Sequence, residues 1–69
     1  MRLRRKPIKI DRKDMQVGDV FYWEGERHKC REKPFKAPNP VYLRVLTWRY
    51  GFRSYVSMLG YEKITVYRR

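Results

Sequence analysis

The sequence predicts an all-β protein, a single small barrel of five strands preceded by a flexible basic arm. A chain of 69 residues has room for one domain. Apolar and charged side chains alternate along short segments, which is typical of strands with one buried face, and turn-forming residues separate most of these segments. Apolar residues make up 42% of the chain and aromatic residues 16%, too many for a disordered basic chain. We therefore expect the arm over residues 1–10 and the barrel over residues 11–69.

The five predicted strands follow one another with short connections and no helix longer than a turn. They cover residues 20–23, 27–33, 41–49, 53–58 and 63–68, each rich in Val, Tyr, Trp, Ile or Thr. Val17-Gly18-Asp19 precedes the first strand, Glu24-Gly25-Glu26 and Tyr50-Gly51 close hairpins, prolines 34, 38 and 40 define a loop, and Gly60 marks the last connection. Regular spacing of short strands favours a meander that curls into a small barrel.

Alternation along the strands predicts which side chains form the core and which face outward, because successive side chains point to opposite faces. The expected core residues are Val41, Leu43, Val45, Phe52, Val56, Met58, Ile64 and Val66, and in the second strand His28, Cys30 and Glu32 share one face. The expected outer residues are Arg27, Lys29, Arg31, Lys33, Tyr42, Arg44, Leu46, Trp48, Arg53, Tyr55, Lys63 and Tyr67. The outer face therefore combines basic and aromatic side chains.

The charge of the chain indicates a polyanionic partner. Eighteen Lys and Arg against seven Asp and Glu give a formal net charge of +11. More than half of this excess lies within residues 1–13. Clustered arginines have no folding role in a flexible arm, and such arms commonly bind phosphates or enter a minor groove. Nucleic acid is the first partner to consider, and an anionic membrane surface is weakly supported, because the arm lacks large apolar residues opposite its charges.

The candidate nucleic-acid-binding residues lie in the arm and on the outer face. They are Arg2, Arg4, Arg5, Lys6, Lys9, Arg27, Lys29, Arg31, Tyr42, Arg44, Trp48, Arg49, Arg53 and Tyr55. Basic side chains neutralise phosphates, and aromatic rings stack on unpaired bases. Two other interpretations stay open, because a barrel this small needs large aromatic residues in its core and charged strand faces are often simply solvated or protect sheet edges.

Other chemistries find no support in the residue pattern. His28 and Cys30 are the sole histidine and cysteine, so they provide two of the three or four ligands that a metal site needs, and Cys30 cannot form an internal disulfide. We expect no catalytic residues, no metal and no cofactor, because no nucleophile has an oriented base and the four glycines lie far apart. Neither a membrane-spanning segment nor a signal peptide is expected, and a reducing cytoplasm, of a bacterium or a phage-infected cell, suits the lone thiol.

Residues 15–21, Met-Gln-Val-Gly-Asp-Val-Phe, resemble the opening of small SH3-like barrel proteins, many of them phage or bacterial. In that group a V-G-D-x-F turn leads into the first strand, and a short glycine-containing turn precedes the last one. Met58-Leu59-Gly60-Tyr61, before Ile64-Thr65-Val66, is similar to the second feature. The resemblance implies the SH3-like barrel fold, whose members bind RNA, DNA, peptides and proteins alike.

Two functions of different classes follow from these observations. The first is a non-enzymatic accessory or regulatory protein that binds the phosphate backbone of nucleic acid, with DNA slightly favoured over RNA. The second is a protein-binding module that docks on an acidic surface of the transcription or translation machinery, such as a host polymerase or a ribosome component. The same arginines, tyrosines and tryptophans suit both, because these residue types are enriched at protein interfaces.

Overall fold

The computed structural model describes residues 4–69, which form one antiparallel sheet that curls into a half-barrel. Strands occupy 59% of the described residues and helix 5%. The strands are β1 (Lys6–Asp11), β2 (Val20–Trp23), β3 (Glu26–Cys30), β4 (Phe35–Lys36), β5 (Tyr42–Arg49), β6 (Phe52–Leu59) and β7 (Lys63–Arg68). A single turn of 3-10 helix, η1 (Arg12–Asp14), follows β1. No helix within residues 4–69 is long and apolar enough to cross a membrane.

The sheet runs in the order β1-β7-β2-β3-β5, and β5 also pairs with β4 and β6. Two hairpins form most of it. Glu24 and Gly25 join β2 to β3, and Tyr50 and Gly51 join β5 to β6; all four residues have positive φ angles, between 51° and 80°. Positive φ at both central positions defines a type I′ turn, whose twist matches that of paired strands. These turns fix the register that places Trp48 opposite Arg53.

The all-β class is confirmed, and the number of strands is corrected from five to seven. All five predicted strands are present, although the second ends at Cys30 rather than at residue 33. The sequence pattern missed β4, which has two residues and lies in the proline-containing segment. Such a short strand forms only because β5 offers it a partner, with Phe35 opposite Arg44.

The expectation of a flexible arm over residues 1–10 is wrong for Lys6–Ile10, which belong to β1. This strand pairs with β7, at the far end of the sequence, so that Ile8 lies opposite Val66 and Ile10 opposite Ile64. Both isoleucines pack against the core. Burial of these apolar side chains stabilises the strand despite its charges and Pro7. Of the rest of the predicted arm, Arg4 and Arg5 precede the strand, and residues 1–3 lie outside the described residues.

The core fills the concave side of the half-barrel. Its buried side chains are Met15, Phe21, Cys30, Leu43, Val45, Val56, Met58 and Val66. Two of the predicted core residues are wrong: Val41 precedes β5 and is exposed, and Phe52 is 76% exposed. Phe52 has the strand parity of Val56, but it adjoins the hairpin turn, beyond the packed interior. Position along a strand therefore matters as much as parity.

Two polar side chains are buried in this core and hydrogen-bonded to each other. His28 Nδ1 lies 2.8 Å from Thr47 Oγ1, and the His28 ring stacks on Phe21 with ring centres 5.5 Å apart. Burial lowers the pKa of His28, with a smaller opposing effect from the charge of Glu26. His28 is therefore a neutral core residue at neutral pH.

The Val17-Gly18-Asp19 motif forms a turn that is held by a hydrogen bond of its own and by another to β3. The backbone amide of Gln16 donates to Asp19 Oδ2, and Gly18, with a φ of 91°, adopts a conformation that favours glycine. The amide of Cys30 donates to the Asp19 carbonyl at 2.7 Å, which ties the turn to β3. The motif therefore connects the turn before β2 to the end of β3.

Candidate functional site

A row of side chains crosses the convex side of the sheet, opposite the core. Paired residues of an antiparallel sheet project from the same face. The register places Tyr67 of β7 beside Val20 of β2, Val20 beside Lys29 of β3, Lys29 beside Trp48 of β5, and Trp48 beside Arg53 of β6. We call these five residues the convex row. It brings together three of the predicted binding residues that are far apart in sequence.

Trp48 is the centre of a cluster of cations. The guanidinium carbon of Arg31 lies 5.3 Å from the centre of the indole ring, and that of Arg53 lies 6.0 Å from it. The two arginines approach from opposite sides of β5, because Arg31 follows β3 and Arg53 belongs to β6. The ring remains 38% exposed. Cation–π attraction orients both guanidinium groups without neutralising them.

A second cation–aromatic pair adjoins the first on the same face. The Arg44 guanidinium carbon lies 5.2 Å from the centre of the Tyr55 ring, and Phe35 of β4 lies opposite Arg44. Within residues 4–69, the buried Nε atoms of Arg31 and Arg44 have no hydrogen-bond partner. Stacking on the rings, rather than hydrogen bonding through Nε, therefore positions these two arginines.

Five cations of the convex side have no carboxylate partner among residues 4–69. The described residues form four ion pairs, Arg12–Glu62, Arg49–Glu26, Lys63–Asp11 and Arg68–Asp19. None of these pairs includes Arg27, Lys29, Arg31, Arg44 or Arg53. The strand register places all five of these cations on the convex side. This side therefore carries a concentrated positive potential, which attracts anions.

A basic cleft of about 380 Å³ opens where the Val17-Gly18 turn meets β7. Its cationic walls are Arg5, Lys29, Arg68 and Arg69, and its one acidic residue is Asp19. Arg5 Nη1 donates to the Gly18 carbonyl at 2.8 Å, which holds that side chain against the turn. Three of the four cations, all but Arg68, lack a carboxylate partner among residues 4–69, so the cleft can accept an anion.

An aromatic cleft of about 290 Å³ lies between β3 and the tip of the β5–β6 hairpin. It is lined by Arg27, Lys29, Trp48, Tyr50 and Gly51. Lys29 lines this cleft and the basic cleft, so the two adjoin on the convex side. A ligand with an anionic group and a flat ring can contact both.

The predicted arm residues have diverse positions. Arg2 lies outside the described residues, Arg4 is exposed, and Arg5 lines the basic cleft. Lys6 and Lys9 belong to β1 and are exposed, Lys9 on the convex side opposite Thr65. Two of these residues are therefore fixed by a strand and a third by a hydrogen bond to the turn.

The remaining predicted residues lie on the convex side, except one. Lys29, Trp48 and Arg53 belong to the convex row, Arg27, Arg31, Arg44 and Tyr55 flank it, and exposed Tyr42 begins β5 on the same side. Arg49 is a correction: it follows Trp48 directly and so points to the opposite face. It donates to Glu26 at 2.7 Å and is neutralised there.

Three cationic or aromatic residues of the two clefts were not among the predicted binding residues. Tyr50 was assigned only to a turn, yet its ring is 74% exposed at the hairpin tip beside Trp48. A large aromatic residue in a two-residue turn was the available signal. Arg68 and Arg69 reach the basic cleft through the pairing of β7 with β1 and β2, which no local pattern reveals.

The geometry around the cysteine and the acidic residues offers little to catalysis. Burial, with the charge of Asp19, raises the pKa of the Cys30 thiol to about 11, and the thiol donates to the Glu32 carbonyl at 3.0 Å. A thiol is a poor nucleophile unless ionised. Among residues 4–69, no three His, Cys, Asp or Glu side chains gather into a group that could hold a metal ion.

Comparisons with protein-family models, with curated proteins and with solved structures yield no match to this chain.

Proposed function

We propose that the chain is a non-enzymatic protein that binds nucleic acid through the convex side of its sheet. The observation that carries the proposal is the set of five convex cations that lack a carboxylate partner among the described residues and lie beside aromatic rings. Lysine and arginine side chains release condensed counterions when they neutralise phosphates. Binding is therefore driven mainly by the phosphate backbone and depends weakly on sequence.

Two features support phosphate as the group recognised. Arginines stacked on Trp48 and Tyr55 keep their outer N–H groups in a fixed orientation, which suits bidentate contact with phosphate oxygens. The basic cleft adds two further cations without carboxylate partners among residues 4–69, Arg5 and Arg69, in a concave setting. Together these features favour an extended polyanion over a single small anion.

The proposal also covers the fold type and the cellular role of the protein. The Val17-Gly18-Asp19 turn and the curled sheet support a small SH3-like barrel of the phage and bacterial type, acting as an accessory or regulatory factor in the cytoplasm. DNA is favoured slightly over RNA, because N-terminal arginines such as Arg2 and Arg4 resemble arms that enter DNA grooves.

Fluorescence anisotropy with short labelled oligonucleotides tests the proposed function. Single-stranded and duplex DNA and RNA are titrated at a low and a physiological salt concentration. We expect binding whose log–log salt dependence has a slope of about −0.9 for each phosphate neutralised on duplex DNA. An affinity that does not change with salt, or no binding at low salt, overturns the proposal.

A second function keeps support from the exposed aromatic residues. Tyr55, Trp48 and the adjacent arginines are the residue types that dominate protein–protein interfaces. An acidic surface of a polymerase or ribosome component would complement the same cations. A pull-down treated with nuclease and high salt discriminates the two, because a protein partner that survives both treatments favours docking on protein.

A further inference from the structure

We infer that the aromatic cleft is a subsite for one unpaired nucleotide, so that the protein prefers single strands to duplexes. This inference rests on the proposed function and specifies the form of nucleic acid that it binds. The cleft joins the two chemistries that a nucleotide needs, the aromatic rings of Trp48 and Tyr50 and the cations Arg27 and Lys29.

The size of the cleft suits a single nucleotide. About 290 Å³ lies at the lower end of the range for small-molecule sites. A base pair inside a duplex exposes only its edges, because its faces are covered by neighbouring pairs. The ring faces of a cleft can therefore be used fully only by an unstacked base.

Tyr50 is the side chain available for stacking. The indole of Trp48 already has two guanidinium groups within 6.0 Å of its centre, so its faces are largely engaged. The Tyr50 ring is 74% exposed, and none of the aromatic or cation–π pairs of the described residues includes it. A base that packs on Tyr50 buries apolar surface that the protein alone leaves in water.

The hairpin turn presents this ring in a defined place. Tyr50 has a φ of 51° and Gly51 a φ of 78°, the backbone of a type I′ turn. Positive φ is unfavourable for a tyrosine, while asparagine is a preferred residue at this position of the turn. A bulky aromatic residue therefore occupies a position where turn formation alone favours another residue.

Lys29 connects the base subsite to the phosphate contacts. It lines the aromatic cleft and the basic cleft, next to Trp48 in the convex row. A strand whose base enters the aromatic cleft can therefore place a neighbouring phosphate at Lys29 and continue toward Arg5 and Arg69. The basic cleft provides affinity and the aromatic cleft provides the preference for an unpaired base.

The test compares Tyr50→Asn with Tyr61→Asn in anisotropy titrations of a short mixed-sequence DNA, as a single strand and as a duplex. Tyr61 is a matched control, because its ring is also 74% exposed but lines a different cleft, beside Gly60. Asparagine is well tolerated at position 50, so loss of fold does not explain a loss of binding. Tyr50→Phe keeps the ring and serves as the conservative variant.

We expect Tyr50→Asn to weaken single-strand binding by about tenfold while duplex binding stays nearly unchanged. Tyr61→Asn and Tyr50→Phe should bind single strands like the original protein. Equal single-strand affinities of the two asparagine variants, or an equal loss on single strand and duplex, overturn the subsite while the proposed function stands. Failure of the unsubstituted protein to bind either form overturns the proposed function and the subsite together.

Discussion

Arg68 donates two hydrogen bonds to the buried carboxylate of Asp19, from Nε to Oδ1 at 2.8 Å and from Nη2 to Oδ2 at 2.6 Å. The pair connects the end of β7 to the turn before β2, across 49 residues of sequence. Asp19 is only 2% exposed. The pair therefore holds β7 against the turn before β2. The other three cations of the basic cleft have no carboxylate partner among the described residues.

Asp19→Asn should lower the free energy of unfolding by about 3 kcal/mol, because it leaves a cation without its buried partner. Urea denaturation followed by circular dichroism measures this loss. Asp11→Asn is the control: its partner Lys63 is exposed, and exposed pairs contribute little. Similar losses in the two variants would contradict a special role for the Asp19–Arg68 pair.

The same pair makes stability sensitive to acid. Burial acts to raise the pKa of Asp19, but the hydrogen bonds from Arg68 and Gln16 and the charges of Arg68 and Arg5 outweigh it, so the pKa is lowered. A lowered carboxyl pKa stabilises the fold above the ordinary value of 3.8, and this contribution is lost as the pH falls through the folded-state pKa. Asp19→Asn should flatten the decline of stability in this acidic range, and an unchanged decline would show that other carboxyls cause it.

His28 should produce a separate pH dependence near neutrality. Because the pKa of His28 is lowered in the fold, the unfolded chain binds a proton more readily than the folded chain does. The contribution of His28 to stability is therefore fully present above pH 6.5 and decreases as the pH falls below it. His28→Gln keeps a hydrogen-bonding group for Thr47 and removes the titration. Thermal unfolding across this range should lose its slope in the variant; a persistent slope would contradict the assignment, since the sequence has one histidine.

Lys29→Gln should weaken nucleic-acid binding more than any other single lysine change, because Lys29 lines both clefts. The magnitude of the log–log salt slope should fall by about 0.9 on duplex DNA and by about 0.7 on a single strand. Lys36→Gln is the matched control, since Lys36 is exposed but lines the cleft beside Gly60. Equal effects of the two substitutions would indicate a diffuse charge effect rather than a site.

Two N-terminal deletions of different length should have different effects on stability and on binding. Removal of residues 2–4 takes away two arginines and leaves β1 complete, so it should weaken binding with little change in the unfolding temperature. Removal of residues 2–11 deletes β1 and exposes core side chains, so the protein should unfold. Unfolding by the shorter deletion would show that residues 2–4 also support the fold.

Local alternation in the sequence predicted five of the seven strands, including β7, whose partners β1 and β2 are distant in the chain. It assigned opposite faces to His28 and Lys29, and to Val45 and Trp48, as the structure has them. It missed β1, because Ile8 and Ile10 become buried only through pairing with β7 at the other end of the chain. The alternation within β1 is limited to Ile8, Lys9 and Ile10, which is too short to distinguish a strand from a basic arm.

The sequence predicted which residues form the candidate site better than it predicted how they are arranged. Lys29, Trp48 and Arg53 were assigned to an outer face from their parity, and the register places them side by side. Arg49 directly follows Trp48 in β5, so strand alternation places the two side chains on opposite faces, although both were expected on the outer face. The clefts depend on Tyr50, Arg68 and Arg69, whose positions follow from a turn and from strand order.

The most direct test of the convex side as the nucleic-acid interface is a nuclear magnetic resonance titration of the two tryptophan indole N–H signals with a short DNA strand. Trp48 lies in the convex row, whereas Trp23 is half-buried, packs against the core and lies beneath Arg12. We predict that the Trp48 indole signal shifts progressively to saturation while the Trp23 signal stays in place. A shift confined to Trp23, or no shift of Trp48 at saturating DNA, would contradict the account.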